Sequence, residues 1–304
     1  MGAIQAAADG VDVILVGDRE ILAPVLERAG SDLQVAHASQ VIDMHEDAAR
    51  AIRDKKDASV RVAAGMVADG EAAGFVSAGS TGAAMAAAAF VVGRLDGVSR
   101  PAIASIFPTG KVLIDAGANL AVTPEQLRQF AVMGSAVAQV YMDVPSPRIG
   151  LLNVGEEAGK GRDMERLAFD VLEESAGINF IGNVEGRDLG GDTADVIVTD
   201  GFTGNVLLKT AEGVARTIYQ MVLEALSPDE YQDALLTLMP AFLSLRKVLD
   251  PETVGGAHLV GTSGVVVIAH GSSSRVAMTN AIERASEGVE KGLVDRIARG
   301  IAVV

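Results

Sequence analysis

Short apolar runs, each the length of a buried strand and each followed by a longer stretch of helical period, recur from one end of this chain to the other. That alternation constrains the fold more than any other feature. Strands joined by helix-length crossovers pair in parallel, and a parallel sheet needs helices over both faces. Val11–Val16 reads as a strand, Ile21–Ala29 as a helix and Leu33–Ala36 as a weaker strand. His45–Arg53 and Val60–Ala68 read as helices split by Lys55-Lys56-Asp57. Phe75-Val76-Ser77 is a short strand before the Ala-rich helix Gly82–Val92. Ala102–Phe107 and Val112–Asp115 are separated by a Thr109-Gly110 turn, which is the spacing of an antiparallel hairpin. Thr123 is an N-cap with Pro124 at the first helical position, opening a helix to about Met142. Ile149–Asn153 is then a strand, Asp163–Ser175 a helix, Asn179–Gly182 and Asp195–Thr199 strands, and Gly204–Leu226 a long helix. Val265–Ala269 is the last clear strand, and Val276–Ile297 closes the chain as a helix. The expectation is an α/β fold: a doubly wound, mainly parallel sheet with helices on both faces. It occupies 1–304 as a single α/β unit or as two lobes sharing one sheet.

Composition narrows the function. Hydrophobic residues make up 49% of the 304 and charged residues 21%, which excludes disorder and supports a sizeable core. The formal charge of −15 and an aromatic content of 4% argue against nucleic acid as a partner. There is no Cys, so a thiol nucleophile, Cys-ligated zinc and iron–sulfur clusters are excluded. The first residues lack a signal pattern, and no apolar run is long enough to span a bilayer, so a cytoplasmic location is expected.

Ligands of open α/β sheets bind beyond the carboxyl ends of the strands, and those ends are rich in small, hydrogen-bonding residues here. They are Ala78-Gly79-Ser80-Thr81-Gly82, Asp115-Ala116-Gly117-Ala118-Asn119, Asn153–Gly161, Gly182–Asp188, Asp200–Asn205 and His270-Gly271-Ser272-Ser273. Glycine admits close approach of a ligand to backbone N–H groups, and helix N-termini favour anions. One such loop is ordinarily just a tight turn; six along one edge point to a shared ligand site. The familiar motifs fit poorly. No G-x-G-x-x-G follows an early strand. Gly155–Gly161 is one residue short of a P-loop and has Gly161 where Ser or Thr would hold magnesium. His37, His45, His258 and His270 form no H-E-x-x-H, so neither a metal nor a cofactor is expected. Ala78–Gly82 is also close to a nucleophile elbow, and Ser80, Asp200 and His270 follow the triad order of α/β-hydrolases, so a serine esterase or acyltransferase is the alternative reading.

Taken in order, these segments resemble the phosphate acyltransferase (PlsX) family over nearly the whole chain. The resemblance runs through Met44-His45-Glu46, Arg53–Ser59, Ala64–Gly70, Ser77–Ala83, Leu113–Asn119, Leu152–Gly155, Phe180–Glu185, Asp195–Asn205, Gly255-Gly256-Ala257 and Ala269-His270-Gly271. It implies transfer of a fatty acyl group from acyl-[acyl carrier protein] to inorganic phosphate, giving the acyl phosphate used in phospholipid synthesis. It further implies a fold similar to the phosphotransacetylases and the isocitrate/isopropylmalate dehydrogenases, a homodimer and no nicotinamide. Two departures stand out. The family opens with a strand ending in D-A-M-G-G-D, whereas Met1–Ala7 aligns just after that loop. Loss of that strand is expected to expose an apolar sheet edge. A truncated, inactive homologue that only binds carrier protein is therefore a further alternative. Ile268 stands where the family often has Lys.

Attack of phosphate on a thioester needs no enzyme nucleophile. It needs a grip on the dianion, an aim at the carbonyl and stabilisation of the oxyanion. Lys160, the loop Gly79, Ser80, Thr81 and Gly82, and Asn119 are the expected phosphate contacts. Asn205 is expected to donate to phosphate or oxyanion, and His270 to orient phosphate or protonate the leaving thiolate. Asp115 and Asp200 are expected in the substrate site, holding His or Lys. The carrier protein is itself acidic, so Lys55 and Lys56, in the basic stretch Arg50, Arg53, Lys55, Lys56 and Arg61, are the expected docking contacts. Residues 229–250 are expected as an amphipathic helical hairpin, with leucines flanking Pro240 and followed by Arg246 and Lys247, resting on the membrane surface.

Overall fold

A computed structural model describes residues 1–249 and 255–304; position 250, the last of the expected hairpin segment, and the Lys247 side chain lie outside the described residues. The strands are β1 (Leu15–Gly17), β2 (Val35–His37), β3 (Gly74–Ser77), β4 (Ala102–Phe107), β5 (Lys111–Ile114), β6 (Arg148–Leu152), β7 (Asn179–Val184), β8 (Val196–Val198), β9 (Ala257–Val260) and β10 (Val265–Ile268). Eight of them form one sheet in the order β3-β10-β9-β4-β5-β8-β6-β7, and β1 and β2 pair separately. The strands of the large sheet carry apolar residues on both faces, as a covered sheet requires. Val112, Ile114, Val196 and Val198 point to one core, and Leu113, Ile197, Phe75 and Ile268 to the other.

The helices cover both faces. The first core is closed by α6 (Pro124–Tyr141), α7 (Asp163–Glu173) and the C-terminal helix α11 (Leu293–Ile301). The second is closed by α3 (Ala48–Asp54), α4 (Ser59–Ala68), α5 (Thr81–Ala87) and α8 (Gly201–Ala225). The chain also contains α1 (Gly2–Ala8), α2 (Arg19–Ala29), α9 (Gln232–Leu249) and α10 (Arg275–Glu290). Thr123 and Gln126 cap α6 reciprocally, with Pro124 in the first turn as the sequence indicates. The closing helix is two helices. Gly292 at φ +67° ends α10 and starts α11, a conformation that L side chains resist.

The hairpin expected within 229–250 is instead one helix, α9, with Pro240 inside it. The second arm of the pair is α8, joined to α9 by a Tyr219 hydroxyl that donates to the Phe242 carbonyl. Beyond the buried Gly201 and Gly204, α8 presents apolar side chains outward.

One departure from the sequence reading bears on the site. β10 is parallel to β3 but antiparallel to β9, β9 is antiparallel to β4, and β4 is antiparallel to β5. β5, β8, β6 and β7 are mutually parallel. Therefore β3 and β10 run opposite to β5, β8, β6 and β7, and the six loops leave the sheet as two sets rather than along one edge. β9, a short strand that the sequence reading omits, is antiparallel to both neighbours and leaves β10 and β4 parallel; the reversal comes at the antiparallel β4–β5 hairpin. β3 has a strand partner on one side only, and β1 pairs only with β2, among the described residues.

Candidate functional site

The first set of loops follows β3 and β10. Ser80 caps α5 by accepting from the Ala83 amide at 3.3 Å, and the Ser77 hydroxyl accepts from the Gly79 amide. The first-turn amides of Thr81 and Gly82 have no carbonyl within their own helix. His270 lies exposed on the turn after β10. Its Nδ1 accepts from the Ser272 amide at 3.3 Å and lies 2.7 Å from the Ser272 hydroxyl. These contacts fix the ring through Nδ1 and leave Nε2 facing away from Ser272. The loop before α3 closes this set. Met44 Cε lies 2.6 Å from where a side chain on Gly271 would begin, and Ala48 lies 3.3 Å from the same point on Gly82.

The second set follows β5, β6, β7 and β8. Asp115 is its hub and is fully buried. One carboxylate oxygen accepts from the amides of Ile103, Gly117 and Ala118 at 3.1, 3.0 and 2.9 Å. The other accepts from the Asn119 amide and side chain at 2.7 and 2.8 Å. Burial pushes this carboxyl upward from its ordinary range, and the donors pull it back. The first turn of α8 is pressed onto the same loop. A side chain at Gly204 would collide with the Asp115 carbonyl, and one at Gly201 would reach the Asn119 backbone at 2.8 Å. Asp200 caps α8 by accepting from the Thr203 amide at 2.9 Å and the Thr203 hydroxyl at 2.7 Å. Asn205 is exposed, its side chain 3.6 Å from the point where one on Gly117 would begin.

Two asparagines shape the loop between β6 and α7. Asn153 donates to the Lys160 carbonyl and to Asn183, and Asn183 donates to the Glu157 carbonyl at 2.8 Å. The loop walls a hollow of about 490 Å³, lined by Val154, Gly155, Glu156, Glu157, Lys160, Glu185 and Arg187. Lys160 lies 3.8 Å from Glu157, and Arg187 pairs with Glu156 at 2.9 Å and Glu185 at 2.6 Å. Arg162 bridges Glu165 and Asp200, the latter at 3.2 Å.

The structure thus groups Asp115, Asn119, Lys160, Asp200 and Asn205 in one set, and Gly79, Ser80, Thr81, Gly82 and His270 in the other. Asn119 turns both amide hydrogens inward, to Asp115 and to the Pro101 carbonyl at 2.9 Å. Asp115 faces its own loop rather than a ligand, because five donors converge on it. Ser80, Asp200 and His270 share no hydrogen bond among the described residues: Ser80 caps a helix, His270 meets Ser272, and Asp200 ends a strand of opposite sense. The arrangement required for an activated serine is not assembled. Of the basic stretch, Arg50 pairs with Asp54, Lys55 with Glu46, and Arg61 donates to the Ile52 carbonyl. Arg53 and Lys56 remain exposed. Ile268 is buried between Ser77 and Ala257. The sequence reading did not single out Arg162 and Arg187, whose ion pairs tie these loops together, or Asn153 and Asn183 as loop supports. The available signal was their position at or just beyond strand-end loops already singled out. Among the described residues no three metal-ligating side chains come together.

This architecture defines the class: the fold is that of the phosphotransacetylases. A phosphotransacetylase from Streptococcus pyogenes superposes with a TM-score of 0.63 over 95% of this chain and 91% of its own, at 17% identity. EutD phosphotransacetylase from Staphylococcus aureus gives 0.60 over 94% and 89%, at 16% identity. The particular family follows from sequence. The family model described as "Fatty acid synthesis protein" matches residues 1–296, and the chain belongs to that family. It is 47% identical to the phosphate acyltransferase of Elusimicrobium minutum over 99% of this chain and 91% of the relative. It is 45% identical to that of Desulforamulus reducens over 99% and 92%.

Proposed function

We propose that this chain transfers a fatty acyl group from acyl-[acyl carrier protein] to inorganic phosphate, releasing acyl phosphate and free carrier protein for phospholipid synthesis. The observation that carries this reading is family membership along nearly the whole chain, with relatives named phosphate acyltransferase. The chemistry agrees. A phosphate oxygen forms the new bond to the thioester carbonyl carbon, the tetrahedral oxyanion collapses, the carbon–sulfur bond breaks and the thiolate takes a proton. No protein nucleophile enters, consistent with zero Cys and with the unassembled serine arrangement.

Both sets of loops serve one cleft in this reading. Register supports it. Ile268 of β10 pairs with Ala257; one step beyond the Ala104–His258 pair, Ala257 falls beside Ser105, which pairs with Leu113. The ends of β10 and β5 therefore lie at nearly one level, three strands and roughly 14 Å apart. Twist does the rest. At about 20–25° per neighbouring pair, the five steps from β3 to β8 accumulate roughly 100–125°. Strands of opposite sense at the two ends of a twisted sheet lean toward the same face, so their exit loops share that face rather than opposite edges. α5 and α8 do lie over one face. Within the cleft, Lys160 and the Thr81 and Gly82 amides grip phosphate, Asn205 donates to phosphate or oxyanion, and Nε2 of His270 orients phosphate or protonates the thiolate. Arg53 and Lys56 dock the acidic carrier protein. The outer stripe Val214, Ile218, Met221 and Val222 of α8 meets a second copy of the chain, and the exposed Leu236, Leu238, Leu243 and Leu245 of α9 rest on lipid.

The test is formation of a hydroxylamine-trappable product from palmitoyl carrier protein and phosphate, dependent on both. No such product refutes the function. His270→Ala and Lys160→Ala should each raise KM for phosphate; an effect from one set of loops alone refutes the shared cleft.

A further inference from the structure

The loop before α3 contains Met44-His45-Glu46, a segment to which the proposed reaction assigns no work. Its geometry is specific. The Lys55 ammonium donates to the Val41 carbonyl at 2.9 Å and to Glu46 Oε1 at 2.7 Å. The same Glu46 oxygen accepts from the Asp43 amide at 2.7 Å, and the Glu46 amide donates back to the Asp43 carbonyl. One ammonium and one carboxylate thereby gather both ends of the loop. Lys55 is itself anchored, since its amide bonds to the Ala51 carbonyl at 2.8 Å and its carbonyl accepts from Ala58. Ile42 is buried and pins the loop to the second core. The tip reaches the turn that carries His270. Met44 Cε occupies the space beside Gly271, with the Ala78 carbonyl on the same side.

We propose that Lys55 is a positioning residue: its bridge to Glu46 and Val41 holds the 41–46 loop against the 270–273 turn and so fixes the aim of His270. The proposal rests on the acyl-transfer reading for its kinetic consequence, but not for its structural one. It reverses the docking role that sequence alone suggests for Lys55, whose charge is committed inside the protein. Lys56, the next residue, is exposed and serves as an internal comparison. A half-exposed ion pair by itself stabilises little. The expected signature is therefore local mobility and lost turnover, not global unfolding.

The test compares Lys55→Met, Lys55→Arg, Glu46→Gln and Lys56→Met in the full chain. Hydrogen exchange without substrate reads the clamp directly. Lys55→Met and Glu46→Gln should speed exchange in 41–46 and 270–273 by about tenfold, with the central strands unchanged. In the acyl phosphate assay both should lower kcat by about tenfold with KM for carrier protein unaltered. Lys55→Arg should retain most turnover, and Lys56→Met should raise KM for carrier protein alone. Exchange at the unsubstituted rate in both Lys55→Met and Glu46→Gln overturns the clamp, as does a Lys55→Met variant that changes only KM for carrier protein. Should Lys55→Met fail to fold, Glu46→Gln decides. Should the unsubstituted protein form no acyl phosphate, the functional reading falls while the exchange experiment still judges the clamp.

Discussion

Replacing Asp115 by Asn isolates what holds the second set of loops together. The substitution keeps size and shape but turns one acceptor oxygen into a donor. The oxygen that serves Ile103, Gly117 and Ala118 can be retained. The amide nitrogen then falls where the Asn119 amide and side chain both donate, at 2.7 and 2.8 Å. Two hydrogen bonds to a charged acceptor are lost in a buried place, at about 1.5–3 kcal/mol each, for a total of about 3–6 kcal/mol. A chain of this length unfolds with an entropy near 0.6 kcal/mol/K, so the melting temperature should fall by about 5–10 °C. Phosphate-dependent turnover should fall further than stability alone explains, because α8 is seated on this loop and carries Asn205. The assay is a calorimetric melt paired with turnover measured well below the melting point. A melt within about 2 °C of the unsubstituted protein, with turnover intact, would show that the carboxylate is not the organiser of the loop.

Three further outcomes are expected. His258 is fully buried against Tyr141, ring centroids 4.3 Å apart, with neither ring nitrogen hydrogen-bonded. Burial, followed by the Arg284 charge, lowers its pKa from 6.5 to about 3. The unfolded state therefore binds the extra proton first, and stability is lost as pH falls from 6.5 toward 3, by about 2 kcal/mol at pH 5. His258→Phe should flatten that acid limb in denaturant titrations at pH 7 and pH 5, and an unchanged slope would contradict it. Lys160→Ala should lower turnover at least about tenfold with the melt unaltered, since the side chain is half exposed and its ion pair with Glu157 is long. Leu238→Glu with Leu243→Glu should abolish sedimentation with liposomes while leaving turnover on soluble carrier protein in place; undiminished binding would remove α9 as the lipid contact.

The local chemistry of this chain was legible residue by residue. Thr123 followed by Pro124 announced α6, the Thr109-Gly110 turn announced the β4–β5 hairpin, and each apolar run announced a strand within a few residues of where it lies. These signals are local because capping, turn geometry and side-chain period act within one turn or one strand. The loops that carry the family resemblance were legible for the same reason. What the chain order did not contain was the sense in which distant strands pair. β9 is four residues long, and it inserts antiparallel between β10, its near neighbour in sequence, and β4, more than a hundred residues earlier. It joins the β3–β10 pair to β4, and the β4–β5 hairpin then sets that pair opposite in sense to β5, β8, β6 and β7, which turns a single expected rim into two sets of loops. The side chains divided likewise. Asp115 and Lys55 are the residue types a phosphate or an acidic partner would call for. Yet folding supplied each with internal partners first, because a buried or half-buried charge is satisfied by whatever the tertiary structure brings within reach. Sequence determined which charges exist and in which loops. Only the packed structure decided which of them still face outward.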